Sequence, residues 1–415
     1  MDPAALEAWR VPLTQWGLLQ LIPGLAVALT PSQSVVRSMA AVIVIALAYS
    51  LQKRITESSL DTRAGGPMVA MSWVSVLNAI DMLVLSRVSY EAQVEWERKR
   101  SGGKAVKEAD SHSPKSTLRS RLLWSQNIGF NFRRINTPWQ IARLPVFDKA
   151  NPEYVPSRLK FVLQGILKVC VSFSLLHLCT IDPSDPRVPG IIEKLSDSKT
   201  VLAPWSHGTS AQGILTQAII TLSFGIVCRS AITGMYTLAA VLLVALGIYD
   251  PAEWPPVFNS LTEAWSLRRL WGTAWHQTLR TLLVSNADFI SFSVLRIPSK
   301  SLWACYPRLL FAFTVSGFVH MGMDLAFGVP RAQTGAVWFF CLQAVGVIFE
   351  SLIQSLFRAQ IERMSPVLKR AIGYAWVALF LLWVTPVWLN PIMLRLYKDG
   401  QRLMSPFLVF GSLPF

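Results

Sequence analysis

The sequence predicts an all-α fold: a multi-pass bundle of about eight or nine helices, each long enough to cross a bilayer. Three observations carry that prediction. Hydrophobic residues fill 52% of the 415 positions and charged residues only 15%, well under the roughly 25% usual in soluble chains. Mean hydropathy is positive, at +0.40. The apolar residues also gather in windows of about 17 to 25, the length that spans about 30 Å of hydrocarbon at about 1.5 Å per residue. Only helices satisfy their own backbone groups within such a segment, and barrel strands are far shorter. A soluble enzyme, a secreted disulfide scaffold and a disordered protein are excluded.

The expected spans run, in order, over Leu13–Thr30, Val35–Leu51, Pro67–Ser86, Leu159–Ile181, Gly213–Cys228, Ile232–Tyr249, Cys305–Val329, Gln333–Leu356 and Ala371–Leu389. Met1–Arg10 lacks a basic leader region, so the first run reads as a span and not as a cleaved signal. Pro23, Pro307 and Pro386 fall within or beside spans, where membrane helices tolerate them. The five cysteines, Cys170, Cys179, Cys228, Cys305 and Cys341, lie in or at the edge of apolar runs without a CxxC pair, and read as small hydrophobes.

The chain divides into a three-span segment, 1–86, a basic loop, 87–158, and a larger membrane domain, 159–415. From Arg87 to Lys160 there are 15 Lys and Arg against 7 Asp and Glu, which places the loop on the cytoplasmic side. Its middle, Ser101–Ser116, reads as a flexible surface loop. Asp182–Ser210 is not positive and suits the lumenal side. The net charge of +15 sits between apolar runs, a pattern that fits anionic lipid and not nucleic acid. Two crossings between Gly213 and Tyr249 would carry the basic stretch with Arg268, Arg269 and Arg280 to the lumen. Either one of those segments is re-entrant, or Pro251–Trp303 lies partly within the membrane as an amphipathic helix whose arginines snorkel.

Two windows carry the chemistry. The first begins with Trp254-Pro-Pro-Val-Phe-Asn-Ser-Leu and continues through Trp265–Gln277 to Arg280; in it Trp265, Trp271 and Trp275 accompany Arg268, Arg269 and His276. On one helix Arg269, His276 and Arg280 share a face, and Trp271 and Trp275 lie one turn apart. An interfacial helix explains that composition. So does a basic pocket wall for a phosphate-rich ligand such as the nucleotide end of coenzyme A, with Arg268 and Arg269 as the phosphate contacts. In Phe311–Leu325, His320 stands in an apolar run with Ser316 one turn before and Asp324 one turn after. Ionisable groups at membrane depth mark functional sites by default, although a satisfied core histidine fits too. His177 reads as structural.

Ser-x-Arg-Arg-x-Trp-Gly-x-x-Trp-His-Gln, with Ser-Gly-Phe-Val-His downstream, resembles the wax-synthase-like branch of the membrane-bound O-acyltransferases. Its fungal members look like acetyltransferases of terpenoid and meroterpenoid pathways. Asn127-Ile-Gly-Phe-Asn-Phe, ahead of Asn136-Thr-Pro-Trp-Gln, resembles the short element those proteins carry before their central spans. The likeness covers Arg121–Gly328, with its core over about 240–330. It implies transfer of an acyl group, acetyl first, from acetyl-CoA or another acyl-CoA to a lipophilic alcohol of terpenoid type, in the endoplasmic reticulum membrane. No permanently bound cofactor and no metal is expected.

By the same resemblance His320 matches the catalytic histidine, and His276 an upstream position filled by Asn in other branches. A neutral imidazole in a low-dielectric site can take the proton of an attacking alcohol, and His276 or a donor beside it can stabilise the oxyanion. Asp324, with Ser316, is placed to orient the His320 ring; a simple structural hydrogen bond is the alternative for Asp324. Trp271 and Trp275 accompany the arginines at the donor. A long-chain wax-ester synthase is the alternative enzyme, and a transporter the alternative outside enzymes. A prenyltransferase would need clustered aspartates for magnesium diphosphate, whereas Asn78…Asp81 is a lone pair and proline breaks Asp182…Asp185.

Overall fold

The computed structural model describes residues 3–57, 62–100, 117–196, 210–301 and 303–404. The predicted loop Ser101–Ser116 lies outside the described residues. In chain order the helices are α1 (Pro3–Leu29), α2 (Val35–Glu57), α3 (Thr62–Ile80), α4 (Tyr90–Arg100), α5 (Leu118–Phe130), α6 (Arg158–Leu178), α7 (Val188–Ser196), α8 (Ala211–Ala245), α9 (Arg280–Asp288), α10 (Cys305–Ala326), α11 (Ala336–Leu356), α12 (Arg358–Arg363), α13 (Pro366–Val384) and α14 (Pro386–Lys398). A two-residue strand pair, Thr180–Ile181 with Leu403–Met404, runs antiparallel. Among the described residues eight helices are long and apolar enough to cross a membrane.

The expected spans Gly213–Cys228 and Ile232–Tyr249 are one helix, the 35-residue α8, about 52 Å long. The polar pair Arg229-Ser230 looks like a break in the sequence, but it does not interrupt the helix, because the Arg229 guanidinium finds the Asn259 carbonyl at 3.0 Å. A single crossing removes the topological conflict. Arg158, where α6 begins, pairs with Asp250 after α8 at 2.9 Å, and Lys149 pairs with Glu263 at 2.9 Å. The stretch before Arg268 thus meets the end of the basic loop.

The single amphipathic helix considered for Pro251–Trp303 is not observed. One turn over Leu267–Arg269 passes into a π-helical turn, Leu270–Ala274, and the chain then extends at Trp275. The Gln277 side-chain amide donates to the carbonyls of Trp271 (3.1 Å) and Trp275 (2.8 Å). Those carbonyls are satisfied without a continuing helix, so Arg269, His276 and Arg280 do not share a helical face.

The chain forms two compact units. The first comprises 1–142 and 278–328, the second 143–277 and 329–415. In the first, α1, α2 and α3 enclose a core of Leu19, Val27, Val44, Ala48, Leu51, Val76 and Met82. Two buried arginines staple it. Arg37 donates to the carbonyls of Val88 (2.6 Å) and Thr30 (2.9 Å). Arg134 donates to Asn78 Oδ1 (2.7 Å), Asp81 Oδ2 (2.9 Å) and the Ile128 carbonyl (2.8 Å). Asn78 in the last turn of α3 and Asp81 just beyond it therefore hold the Asn127–Gln140 element in place through Arg134.

In the second unit glycines permit close approach at the aromatic-basic window. A Cβ on Gly373 in α13 would collide with the Trp265 carbonyl oxygen, and one on Gly346 in α11 would press on Leu267 and Phe380. Small residues at such contacts let membrane helices approach their neighbours closely.

Candidate active site

His320 lies on α10 in the first unit. Ser316, Gly317, Val319 and Asp324 of the same helix are buried, Asp324 completely. The ring Nδ1 is 2.8 Å from the Ser316 carbonyl oxygen. A carbonyl only accepts, so this bond requires the proton on Nδ1 and makes Nε2 the acceptor of the neutral ring. Ser316 therefore orients the ring through its main chain, not through the hydroxyl that the sequence draws attention to. Around the same helix Trp73, Leu77, Val315, Phe318 and Val319 line an apolar crevice. The edge of Trp73 lies close enough to α10 that a Cβ on Gly322 would come within 3.1 Å of it.

His276 lies in the second unit, where the chain leaves the π-turn. Phe258 meets its ring edge-on, at 5.8 Å and 90° between planes, and Trp275 lies 5.7 Å away. Trp271 stands against Trp275 at 5.7 Å, and its indole N–H donates to Gln343 at 3.0 Å. Trp271, Trp275 and His276 thus form one aromatic cluster with Phe258.

The two arginines diverge. Arg269 forms an ion pair with Glu263 and lies over the Trp265 ring at 4.8 Å. Arg268 stays exposed and donates to Ser351 at 2.7 Å. Lys149 and then Arg269 hold the Glu263 carboxyl below its ordinary value, so the charge of Arg269 is already matched.

Glu350 and Gln343 are residues that sequence reasoning passes over, and Asn259 lies in the first window without being given a role. Glu350 is buried within α11, and its Oε2 accepts the Leu267 backbone N–H (2.7 Å) and the Trp376 indole N–H (3.2 Å). Ser266 caps the same turn, accepting the Arg269 N–H at 3.2 Å. The Asn259 amide donates to the Thr273 carbonyl at 3.0 Å. Glu350 carries the same signal as His320, an ionisable group inside an apolar run. Asn259 has no such signal.

The chain is similar to known proteins over the region that carries both histidines. The model of the membrane bound O-acyl transferase family matches residues 254–342, which include both histidines. Acetyltransferase ataH of Aspergillus terreus is 32% identical over 260 residues, covering 61% of this chain and 84% of that protein. The chain belongs to the membrane-bound O-acyltransferase family. Acetyltransferase nanB of Aspergillus nanangensis is 30% identical over 318 residues, 71% of this chain and 72% of its own. Acetyltransferase aurG of Calcarisporium arbuscula is 27% identical over 393 residues, 93% of each chain. This acyltransferase is a multi-pass membrane enzyme, and acyl donor and acceptor are its substrates.

Proposed function

We propose that this acyltransferase is an O-acetyltransferase, taking acetyl from acetyl-CoA and placing it on a hydroxyl of an apolar polycycle, terpenoid or meroterpenoid, within the endoplasmic reticulum membrane. The observation that carries the mechanism is the bond from His320 Nδ1 to the Ser316 carbonyl, which turns Nε2 into a base. Nε2 takes the proton of the acceptor hydroxyl as its oxygen attacks the thioester carbonyl carbon. The tetrahedral intermediate collapses, the carbon–sulfur bond breaks, and the thiolate leaves with the proton that His320 returns. The products are an ester and free coenzyme A, with no covalent enzyme intermediate.

Asp324, completely buried one turn beyond His320, secures the helix face that presents the ring. An apolar acceptor would approach α10 from the bilayer past the apolar side chains of Trp73, Leu77 and Phe318. His276, caged by Phe258 and Trp275, serves the donor side together with Trp271. Exposed Arg268 meets the outer phosphates of the nucleotide. The acetyltransferase names of the relatives support the short acyl group.

The test is thiol release by microsomes carrying the full-length protein, given acetyl-CoA or palmitoyl-CoA with hydroxylated terpenoids or a long-chain alcohol. Release that needs acetyl-CoA and a terpenoid alcohol supports the proposal. Release with palmitoyl-CoA and the long-chain alcohol makes the protein a wax-ester synthase instead.

A further inference from the structure

One membrane helix of the second unit carries a row of polar groups that the reaction scheme leaves unused. On α8, Gln217, Thr221, Gly225 and Arg229 follow one another at four-residue steps, a slowly winding ridge along the helix with about 6 Å between successive members. Gln217 Nε2, Thr221 Oγ1 and Arg229 Nη1 are all buried without a hydrogen-bond partner. Between them, a Cβ on Gly225 would meet nothing within 4 Å. Buried polar atoms without partners each cost free energy, so three along one ridge, beside open space, mark a place built for a polar ligand.

Arg229 defines the ligand. Its guanidinium is always protonated, lies over the Phe258 ring at 4.2 Å and gives one nitrogen to the Asn259 carbonyl. Within the same unit Arg158, Arg187, Arg269 and Arg395 each pair with a carboxylate. Among the described residues no carboxylate pairs with Arg229. A cation at membrane depth without an anion is costly, and a ligand anion would offset that cost. Thr221 and Gln217 add groups that suit amides, which both donate and accept. A chain with two amides about one helical turn apart, ending in a phosphate, has this pattern of needs.

We propose that this face of α8 seats the phosphopantetheine arm of the acyl donor, Arg229 taking the phosphate and Thr221 and Gln217 the amides, while the thread of the arm fills the space over Gly225. The assignment rests on the reading of the donor as a coenzyme A thioester.

The experiment measures binding of coenzyme A, 4′-phosphopantetheine and pantetheine to the full-length protein in nanodiscs by calorimetry. Arg229→Gln should weaken the first two by about 10-fold or more, the scale of a charge-assisted contact, and leave pantetheine unchanged. Arg229→Lys should recover part of the loss. Gly225→Leu, which enters open space and so spares the fold, should weaken all three ligands. Wild-type affinity for coenzyme A in a folded Arg229→Gln protein would overturn the assignment while leaving the donor reading intact. Should Arg229→Gln not fold, unchanged pantetheine affinity in Gly225→Leu overturns it equally. A wild-type protein that binds no coenzyme A would overturn the donor reading itself, and this inference with it.

Discussion

The Glu350 carboxylate accepts the backbone N–H of Leu267 at 2.7 Å, so a buried acid in a membrane helix caps the turn that presents the Arg-Arg-x-Trp stretch of this chain. Hydrogen bonds to a charged group contribute about 1.5–3 kcal/mol. Glu350→Ala should lower stability by that order and loosen the Trp271 end of the site. Thermal unfolding of the solubilised protein measures the first effect. The Michaelis constant for the donor, expected to rise, measures the second.

The Arg134–Asp81 pair is completely buried. Removing one partner leaves an uncompensated buried charge, typically at a cost of about 3–5 kcal/mol. Asp81→Ala should fall in that range and Asp81→Asn should cost less, because an amide oxygen still accepts from Arg134. Equal losses from both would show that the acceptor oxygen contributes nothing once the charge is gone.

Gly373 packs on the Trp265 carbonyl. Gly373→Ala should push the Trp265–Ala274 segment off α13 and cost about 1–3 kcal/mol, with a loss of activity larger than that from an alanine at Gly17, where space is open. Matching effects at the two positions would contradict the packing described.

Arg268→Gln should raise the donor Michaelis constant while leaving the acceptor constant unchanged. Arg269→Gln should act differently, since it removes a partner of Glu263. Lys149 and Arg269 hold Glu263 below its ordinary 4.5. The sign follows: with the folded value depressed, the stabilisation is present above the unfolded carboxylate range and is lost as pH falls through the lowered value. Wild-type protein should thus keep this contribution on acidification longer than Arg269→Gln, which thermal melts between neutral and mildly acid pH will show.

Most of the architecture was legible because long apolar runs have few physical solutions. The boundary error at Arg229-Ser230 arose because a charge in an apolar run reads as a loop, whereas the helix carries it by finding Asn259 and Phe258. The extended residue at Trp275 was hidden for the opposite reason: nothing in Trp-Gly-Thr-Ala-Trp forbids a helix, and the Gln277 side chain ends it from outside the run. His320 stood out as an ionisable residue among apolar neighbours. Its orientation by a backbone carbonyl is a property of helical geometry and no side-chain pattern could announce it.

The most direct test of the account is acetyl transfer by His320→Ala and His320→Gln proteins compared with wild type, each shown to be folded and inserted, with labelled acetyl-CoA and a hydroxylated terpenoid. The account predicts that both variants lose transfer to the background while still binding coenzyme A. Transfer at the wild-type rate by either variant would contradict His320 as the base.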